Sequence, residues 1–442
     1  ATAQVSNMIL ARGVAGSVPP FSIAFFRWGI VALGLLPAVV MWRFPLRYRG
    51  WRVEVLSKLR SMGIALAVIL GLVVAFGSHY ASFLREYKPV WRYVNPIFPL
   101  VSTIKLVTAR VSTEDGRPPA PIAVDARLPE NDPHRELMVM VIGEAARTDR
   151  FSLYGYERQT NPELSRATGM YVYRDVTSCG TSTAVSLPCM FSLEGRARFS
   201  VDEARHKENV LDVLQRAGVH VLWRDNNSDS KGVALRIPYQ DFRSPALNPV
   251  CDVECRDVGM LHGLQDYIDR QSGDILIVLH QMGNHGPAYH RRYPPAFERF
   301  TPACNSAKLS DCTKAEIDNA YDNAILYTDW FLARVMELVE ANSTRFEAAM
   351  LYVSDHGESL GERHVYLHGL PYAIAPAEQT HVPLLLWVGE HRDVDLDSVL
   401  VRSRRATTHD AISHSLLAYF EIETKALDEQ AAVFSVRRET SP

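Results

Sequence analysis

Residues 348–369 read AAMLYVSDHGESLGERHVYLHG. A short apolar run, AAMLYV, stops at Ser354 and is followed at once by Asp355, His356 and, twelve residues on, His368. The run reads as a strand, and the acid and imidazoles then stand just past its carboxyl end. In open α/β sheets that edge is where ligands bind. Four further runs have the same character: LMVMVI (137–142), VHVLW (219–223), DILIVL (274–279) and VPLLLWV (382–388). Between them lie helical patterns. VLDVLQRAG (210–218) ends in a glycine suited to a helix C-terminus. Ile317, Tyr321, Ile325, Thr328, Leu332, Val335 and Val339 recur at three-to-four spacing over 317–339. Strands alternating with helices predict an α/β domain around a central, mostly parallel sheet.

Each predicted strand end carries chemistry. LMVMVI runs into GEAARTDR and gives Glu144; VHVLW runs into RDNNSDSK and gives Asp225, Asn226, Asn227 and Lys231. DILIVL runs into HQMGNHGP and gives His280 and His285. A lone acid after a strand is commonly a solvated turn, and Asp-His-Gly by itself can be a plain turn. Carboxylates and imidazoles converging from several strands, without thiolates, are the donors that zinc or another borderline cation takes in a catalytic site. Flanking glycines (Gly143, Gly283, Gly286, Gly357) would let backbone approach a metal or phosphate.

The rest of the chain sets the compartment. The 442 residues carry a net charge of −3, which argues against a general nucleic-acid binder. Phe21–Trp42 holds a single charge, Arg27, and Met62–Leu84 holds no Asp, Glu, Lys or Arg. Each approximates the ~20 residues that cross a bilayer. The intervening RFPLRYRGWRVEVLSKLR is strongly basic and therefore predicted cytoplasmic, which puts the chain after about residue 85 outside the inner membrane. Residues 85–110 are aromatic and basic, suited to a membrane interface. The Pro- and charge-rich 111–135 reads as a linker. The expected organisation is a membrane-anchoring region over 1–110, that linker, and a catalytic domain over 136–436. All six cysteines lie past residue 178 in sequence-local pairs, Cys179/Cys189, Cys251/Cys255 and Cys304/Cys312. Close CxxC pairs are absent, so disulfides in an oxidising compartment are favoured over a zinc–thiolate site.

One pair brackets a cluster of hydroxyls: residues 177–192 read TSCGTSTAVSLPCMFS, with Thr181, Ser182, Thr183 and Ser186 between the cysteines. A bound cation lowers the pKa of an alcohol and makes it a nucleophile, and it also neutralises charge on a transferred phosphoryl or sulfuryl group. From the residues alone, any of the four hydroxyls could attack.

Five ordered stretches carry a resemblance: VIGEAARTDRFSLYGYERQTNPEL, TSCGTSTAVSLPCMFS, HQMGNHGPAYHRRYPPAFERFTP, NAYDNAILYTDW and YVSDHGESLGERHVYLHGLPYAIAP. Over roughly residues 50–435 the chain resembles the lipid A type phosphoethanolamine transferases of Gram-negative inner membranes. That family belongs to the alkaline phosphatase/sulfatase superfamily and includes the enzymes behind polymyxin resistance. The resemblance implies an alkaline phosphatase-like periplasmic domain preceded by a short helical transmembrane region. It implies transfer of phosphoethanolamine from phosphatidylethanolamine, through a phosphothreonine, to lipid A or another lipopolysaccharide sugar. It places the nucleophile on Thr183 and a tight zinc site on Glu144, Thr183, Asp355 and His356. His285 and His368 would hold a second zinc or the substrate phosphate, with Lys231 and His280 lining the same pocket. It also implies that the three cysteine pairs are disulfides and that the protein acts as a monomer. Two departures stand out. The family has five transmembrane helices where two are seen here. Residues 1–40 look instead like the first helix of a drug/metabolite transporter, as a fusion or an altered start would give. Sulfatases generate formylglycine from a Cys or Ser in a CxPxR-like context, which TSTAVSLPC does not supply.

Overall fold

The computed structural model describes residues 50–86, 118–130, 132–390 and 393–437, with isolated positions besides. The chain divides into two compact units, Ala1–Leu72 and Val73–Pro442. The helix α1 (Trp51–Glu86) breaks helical geometry only at Phe76 (φ −126°, ψ 24°). Its part Trp51–Val73 is 23 residues long and apolar enough to cross a membrane. At 1.5 Å per residue that is about 35 Å, more than the ~30 Å of a hydrocarbon core. Leu66, Ile69 and Leu70 are each more than half exposed. Apolar groups exposed in this way suit a helix whose surroundings are lipid. The predicted run Met62–Leu84 lies within this helix, but the helix begins at Trp51. Arg52, Lys58 and Arg60, expected in a loop, therefore form its first turns. Glu54 near the N-terminus complements the helix dipole, and Leu56 and Leu59 are good helix formers. The other predicted run, Phe21–Trp42, and most of the interfacial segment 85–110 lie outside the described residues.

In the second unit the strands are β1 (Glu136–Gly143), β2 (Met170–Tyr173), β3 (Asp175–Thr177), β4 (His220–Asp225), β5 (Tyr239–Asp241), β6 (Ile275–His280), β7 (Glu347–Ser354), β8 (Ser359–Leu360), β9 (Tyr366–Leu367), β10 (Leu384–Val388) and β11 (Ala406–Thr408). Seven of them form one sheet in the order β2-β10-β7-β1-β6-β4-β5. From β7 to β5 every pairing is parallel. The run VPLLLWV supplies β10, which pairs antiparallel with both β7 and β2. All eight residues of β1 are buried, as the unbroken apolar run of a central parallel strand requires.

Period-two alternation sends the two halves of β1 into separate cores. Met138, Met140 and Ile142 pack with α3 (Val210–Ala217) and α5 (Asp410–Tyr419). Leu137, Val139 and Val141 pack with Ile317, Tyr321, Ile325, Leu332, Val335 and Val339 of α4 (Lys314–Glu340). The α4 start is fixed by a capping box between Thr313 and Glu316. Helices on both faces leave the carboxyl edge of the sheet as the place for a site. Register then decides what meets there: Ile142 pairs with His280, Asp225 with His280, and Gly143 with Ser354. Glu144, Asp225, His280 and Asp355 therefore leave the sheet side by side.

Candidate active site

Thr183 is the first residue of α2 (Thr183–Met190), with Ser182 as N-cap. Its Oγ1 donates to Glu144 Oε2 at 2.9 Å and lies 3.4 Å from His356 Nε2. The other hydroxyls of the cluster are turned elsewhere. Thr181 Oγ1 donates to the Leu370 carbonyl (2.7 Å), Ser186 Oγ donates to the Asp355 carbonyl, and Ser182 makes no side-chain cap bond. Tertiary packing thus singles out Thr183 as the alcohol that meets a carboxylate.

Around it the donors converge. His356 Nδ1 bonds the Gly357 carbonyl at 2.8 Å, which leaves Nε2 3.5 Å from both Glu144 Oε1 and Asp355 Oδ2. Those two oxygens are buried and have no hydrogen-bond partner. Two orphaned carboxylate oxygens facing an imidazole lone pair, with a hydroxyl beside them, are the arrangement a divalent cation completes. Glu144, His356 and His368 also offer ligand atoms that all lie within 4.8 Å of one another. The residues present fit a metal. The electrostatics agree: burial opposes charge on Glu144, but His285, His356, His368 and the Asn227 amide hold its carboxyl well below the usual range. Burial and the Glu144 charge push Asp355 the other way. Two carboxylates competing for one charge in a dry site are relieved by a cation.

The neighbouring side chains are fixed by buried partners. The rings of His356 and His368 are 4.1 Å apart, and those of His285 and His368 are 6.2 Å apart. His368 Nδ1 bonds Glu358 Oε2 at 2.6 Å, and Glu358 Oε1 accepts from Tyr289 at 2.7 Å. Asn227 donates to Glu144 Oε2 (2.8 Å) and to the Gln281 carbonyl. His280 Nδ1 meets Asp225 Oδ2 at 2.9 Å. Burial would lower the His280 pKa, but the Asp225 carboxylate raises it.

The expectation differs in three places. Lys231 does not reach this cluster: its ammonium bonds the Ser228 carbonyl and lies 3.3 Å from Asp229 Oδ1. It lines a cavity of about 890 Å³ beside the outer face of α2, with Ala184, Pro188 and Leu193. Asp229 and Lys231 both have positive φ (81° and 50°). The glycines, too, serve packing. A Cβ on Gly283 (φ +46°) would stand 3.0 Å from the Glu144 amide nitrogen, and one on Gly357 would stand 2.2 Å from the Glu378 carbonyl oxygen. His409 and Glu358 carry no local signal in the sequence. His409 sits next to β11, whose pairing with β3 brings it against the turn that precedes Thr183. Its Nδ1 accepts the Cys179 amide at 3.2 Å, and burial pushes its pKa down to about 3. Disulfides join Cys179–Cys189, Cys251–Cys255 and Cys304–Cys312.

The comparisons with known proteins match both parts of the chain. A sulfatase family model matches residues 136–422, and the model described as phosphoethanolamine transferase EptA/EptB matches residues 21–111. The chain belongs to the phosphoethanolamine transferase family. It is 45% identical over 424 residues to phosphatidylethanolamine transferase Mcr-1 of Escherichia coli, spanning 92% of this chain and 77% of the relative. It is 39% identical to phosphoethanolamine transferase EptA of Escherichia coli (strain K12), spanning 84% and 70%. The integral membrane protein lipooligosaccharide phosphoethanolamine transferase A from Neisseria meningitidis superposes with a TM-score of 0.73 at 32% identity, covering 99% of this chain and 82% of that one. The protein is therefore a membrane-anchored transferase with an alkaline phosphatase-like domain. The match from residue 21 corrects the transporter resemblance: Phe21–Trp42 falls within the transferase's own N-terminal region.

Proposed function

We propose that this transferase moves phosphoethanolamine from phosphatidylethanolamine, through a covalent intermediate on Thr183, to lipid A or another lipopolysaccharide sugar. The observation that carries the reading is the Thr183 hydroxyl on Glu144, beside two buried carboxylate oxygens that lack partners. The relatives' names point the same way, since they include phosphatidylethanolamine transferases and a Kdo(2)-lipid A phosphoethanolamine transferase. Residues 1–110 would anchor the chain in the inner membrane, 111–135 would link, and 136–436 would form the periplasmic catalytic domain. The enzyme acts as a monomer, without a nucleic-acid partner.

Glu144, Thr183, Asp355 and His356 would hold one zinc ion, and His285 and His368 would hold a second zinc or the substrate phosphate. Bound zinc would acidify the Thr183 hydroxyl and neutralise charge on phosphoryl oxygens. The chain's own residues do the rest. Glu144 Oε2 accepts the Thr183 proton as the Oγ1–P bond forms, and the bond from phosphorus to the diacylglycerol oxygen breaks with its electron pair on that oxygen, which takes a proton from solvent. In the second half-reaction the acceptor hydroxyl loses its proton to solvent as its oxygen bonds phosphorus, and the Oγ1–P electron pair returns to Thr183, which takes back the proton held on Glu144 Oε2. Adding a cationic ethanolamine lowers the negative charge of the glycolipid surface, which weakens attraction of polymyxin-type cationic peptides.

The test is mass spectrometry of lipid A and core sugars from cells expressing the full chain or Thr183→Ala. Phosphoethanolamine addition is expected only with Thr183 present. Addition that persists in the variant would overturn the assignment, and the modified sugar identifies the acceptor.

A further inference from the structure

Glu144, Asp355 and His356 follow directly on strands of the sheet, whereas His285 stands five residues past the end of β6 and has to be fixed by its loop. The first part of that loop is pinned to the site. Asp257 accepts the Met282 amide at 2.8 Å and the Gly283 amide at 3.2 Å, and the Asn284 amide donates to the Glu144 carbonyl at 2.9 Å. Past His285 the chain runs against the partner of the other histidine. A Cβ on Gly286 would stand 2.6 Å from Glu358 Oε1, and the second oxygen of Glu358 bonds His368 Nδ1.

Between those anchors the His285 carbonyl accepts the Arg292 Nε–H at 2.6 Å, and Arg292 Nη1 donates to Glu254 Oε2. The Arg292 side chain is only 7% exposed, so its charge is out of water and needs that carboxylate. Glu254 lies inside the short ring closed by Cys251–Cys255. The other acid of the ring, Asp252, pairs at 2.6 Å with Arg256, a second buried guanidinium, which donates to the Arg291 carbonyl at 2.6 Å. The ring therefore grips Arg292 twice, by its side chain and through the peptide before it. Bonds from a charged donor are shorter and stronger than neutral ones, and groups one bond removed from a ligand set its orientation. Arg292 thus holds the peptide that carries the His285 ring, whose centroid is 6.2 Å from that of His368.

We propose that Arg292, gripped by Glu254, is a positioning residue that sets His285 against His368 and so shapes the subsite for the substrate's phosphate or a second cation. It touches neither the nucleophile nor the tight cluster of Glu144, Asp355 and His356. Its loss should therefore be felt at the His285–His368 side of the site and not at the tight zinc.

This rests on the transferase reading through the roles given to His285 and His368, and the experiment separates the two. Full-length protein in detergent, with zinc retained through gel filtration, is titrated by calorimetry with inorganic phosphate and, separately, with further zinc. Turnover of phosphatidylethanolamine is followed beside it. The proteins are wild type, Arg292→Met, His285→Ala and the double variant. Arg292→Met is expected to weaken binding of phosphate or of further zinc about ten- to a hundredfold, with the retained zinc unchanged. In the His285→Ala background it is expected to cost nothing more, because Arg292 acts through that residue, whereas a general loss of packing would still add. If Arg292→Met does not fold, Glu254→Gln, which keeps the guanidinium and removes the charge that grips it, meets the same criterion. Unchanged affinities, loss of the retained zinc, additive losses in the double variant, or wild-type protein that takes up neither titrant would overturn the proposal. Wild-type protein that binds them but leaves phosphatidylethanolamine intact would instead overturn the transferase reading.

Discussion

Removing the Cys179–Cys189 bridge with Cys179→Ser and Cys189→Ser separates what holds the nucleophile from what holds the fold. The bridge spans a sequence separation of 10 and encloses the start of α2, where Thr183 sits. Loop-closure entropy for a ring of that size stabilises the native state by about 2.8 kcal/mol at 25 °C. At roughly 2–4 °C per kcal/mol for a domain of this size, the thermal midpoint should fall by about 6–11 °C. The turn would keep other anchors. Ser178 N bonds the Thr380 carbonyl, Thr181 bonds Leu370, and the Arg196 guanidinium bonds the Cys179 carbonyl. The loop should therefore loosen without unfolding, and displacing Thr183 from Glu144 should cost about ten- to a hundredfold in turnover. Cys304–Cys312, with a separation of 8, provides the control. It closes a similar ring ahead of α4, worth about 2.6 kcal/mol, far along the chain from the nucleophile. Its removal should lower the midpoint almost as much and leave turnover unchanged. The assays are differential scanning fluorimetry and phosphatidylethanolamine turnover on the full chain in detergent. An unchanged midpoint after loss of Cys179–Cys189, or equal effects of the two pairs on turnover, would refute the reasoning.

Thr183→Ala should abolish the covalent adduct seen by intact-mass spectrometry, whereas Ser182→Ala should keep it, since Ser182 makes no cap bond. Zinc chelation should lower the thermal midpoint of wild type and zinc should restore it; Glu144→Gln should blunt both responses, because it removes a carboxylate oxygen of the cluster. At the opposite end of β1, burial and the Asp274 carboxylate hold the Glu136 pKa far above its ordinary value. The folded state thus keeps a proton that the unfolded chain loses above about pH 4.5, so this group's stabilisation is complete in acid and falls as pH rises toward the folded pKa. Glu136→Gln should gain on wild type by up to about 1.4 kcal/mol per pH unit between pH 5 and 8, measured by denaturant unfolding at fixed salt.

Much of the site was legible because parallel strands announce themselves as short apolar runs and put their following residues at one edge. Glu144, His280, Asp355 and His356 came from that rule alone, and the local cysteine pairs came from spacing and compartment. The contact of Lys231 with the Ser228 carbonyl was not legible, because it forms in a turn with positive φ at Asp229 and at Lys231 itself, neither of them a glycine that would flag it. His409 was missed because it reaches the nucleophile turn only through a strand pairing across more than 200 residues.

The sequence by itself determined the class of fold, the apolar helix and the stock of carboxylates, imidazoles and hydroxyls, since these follow from hydrophobic period and from what stands after each run. Only the tertiary structure decided which hydroxyl meets a carboxylate. Thr181, Ser182, Thr183 and Ser186 are chemically alike, and a helix start at Thr183 turns one of them toward Glu144 while packing hands Thr181 and Ser186 to backbone carbonyls. It also decided that Asp225 belongs to His280, because sheet register, which no local pattern encodes, sets those two residues side by side.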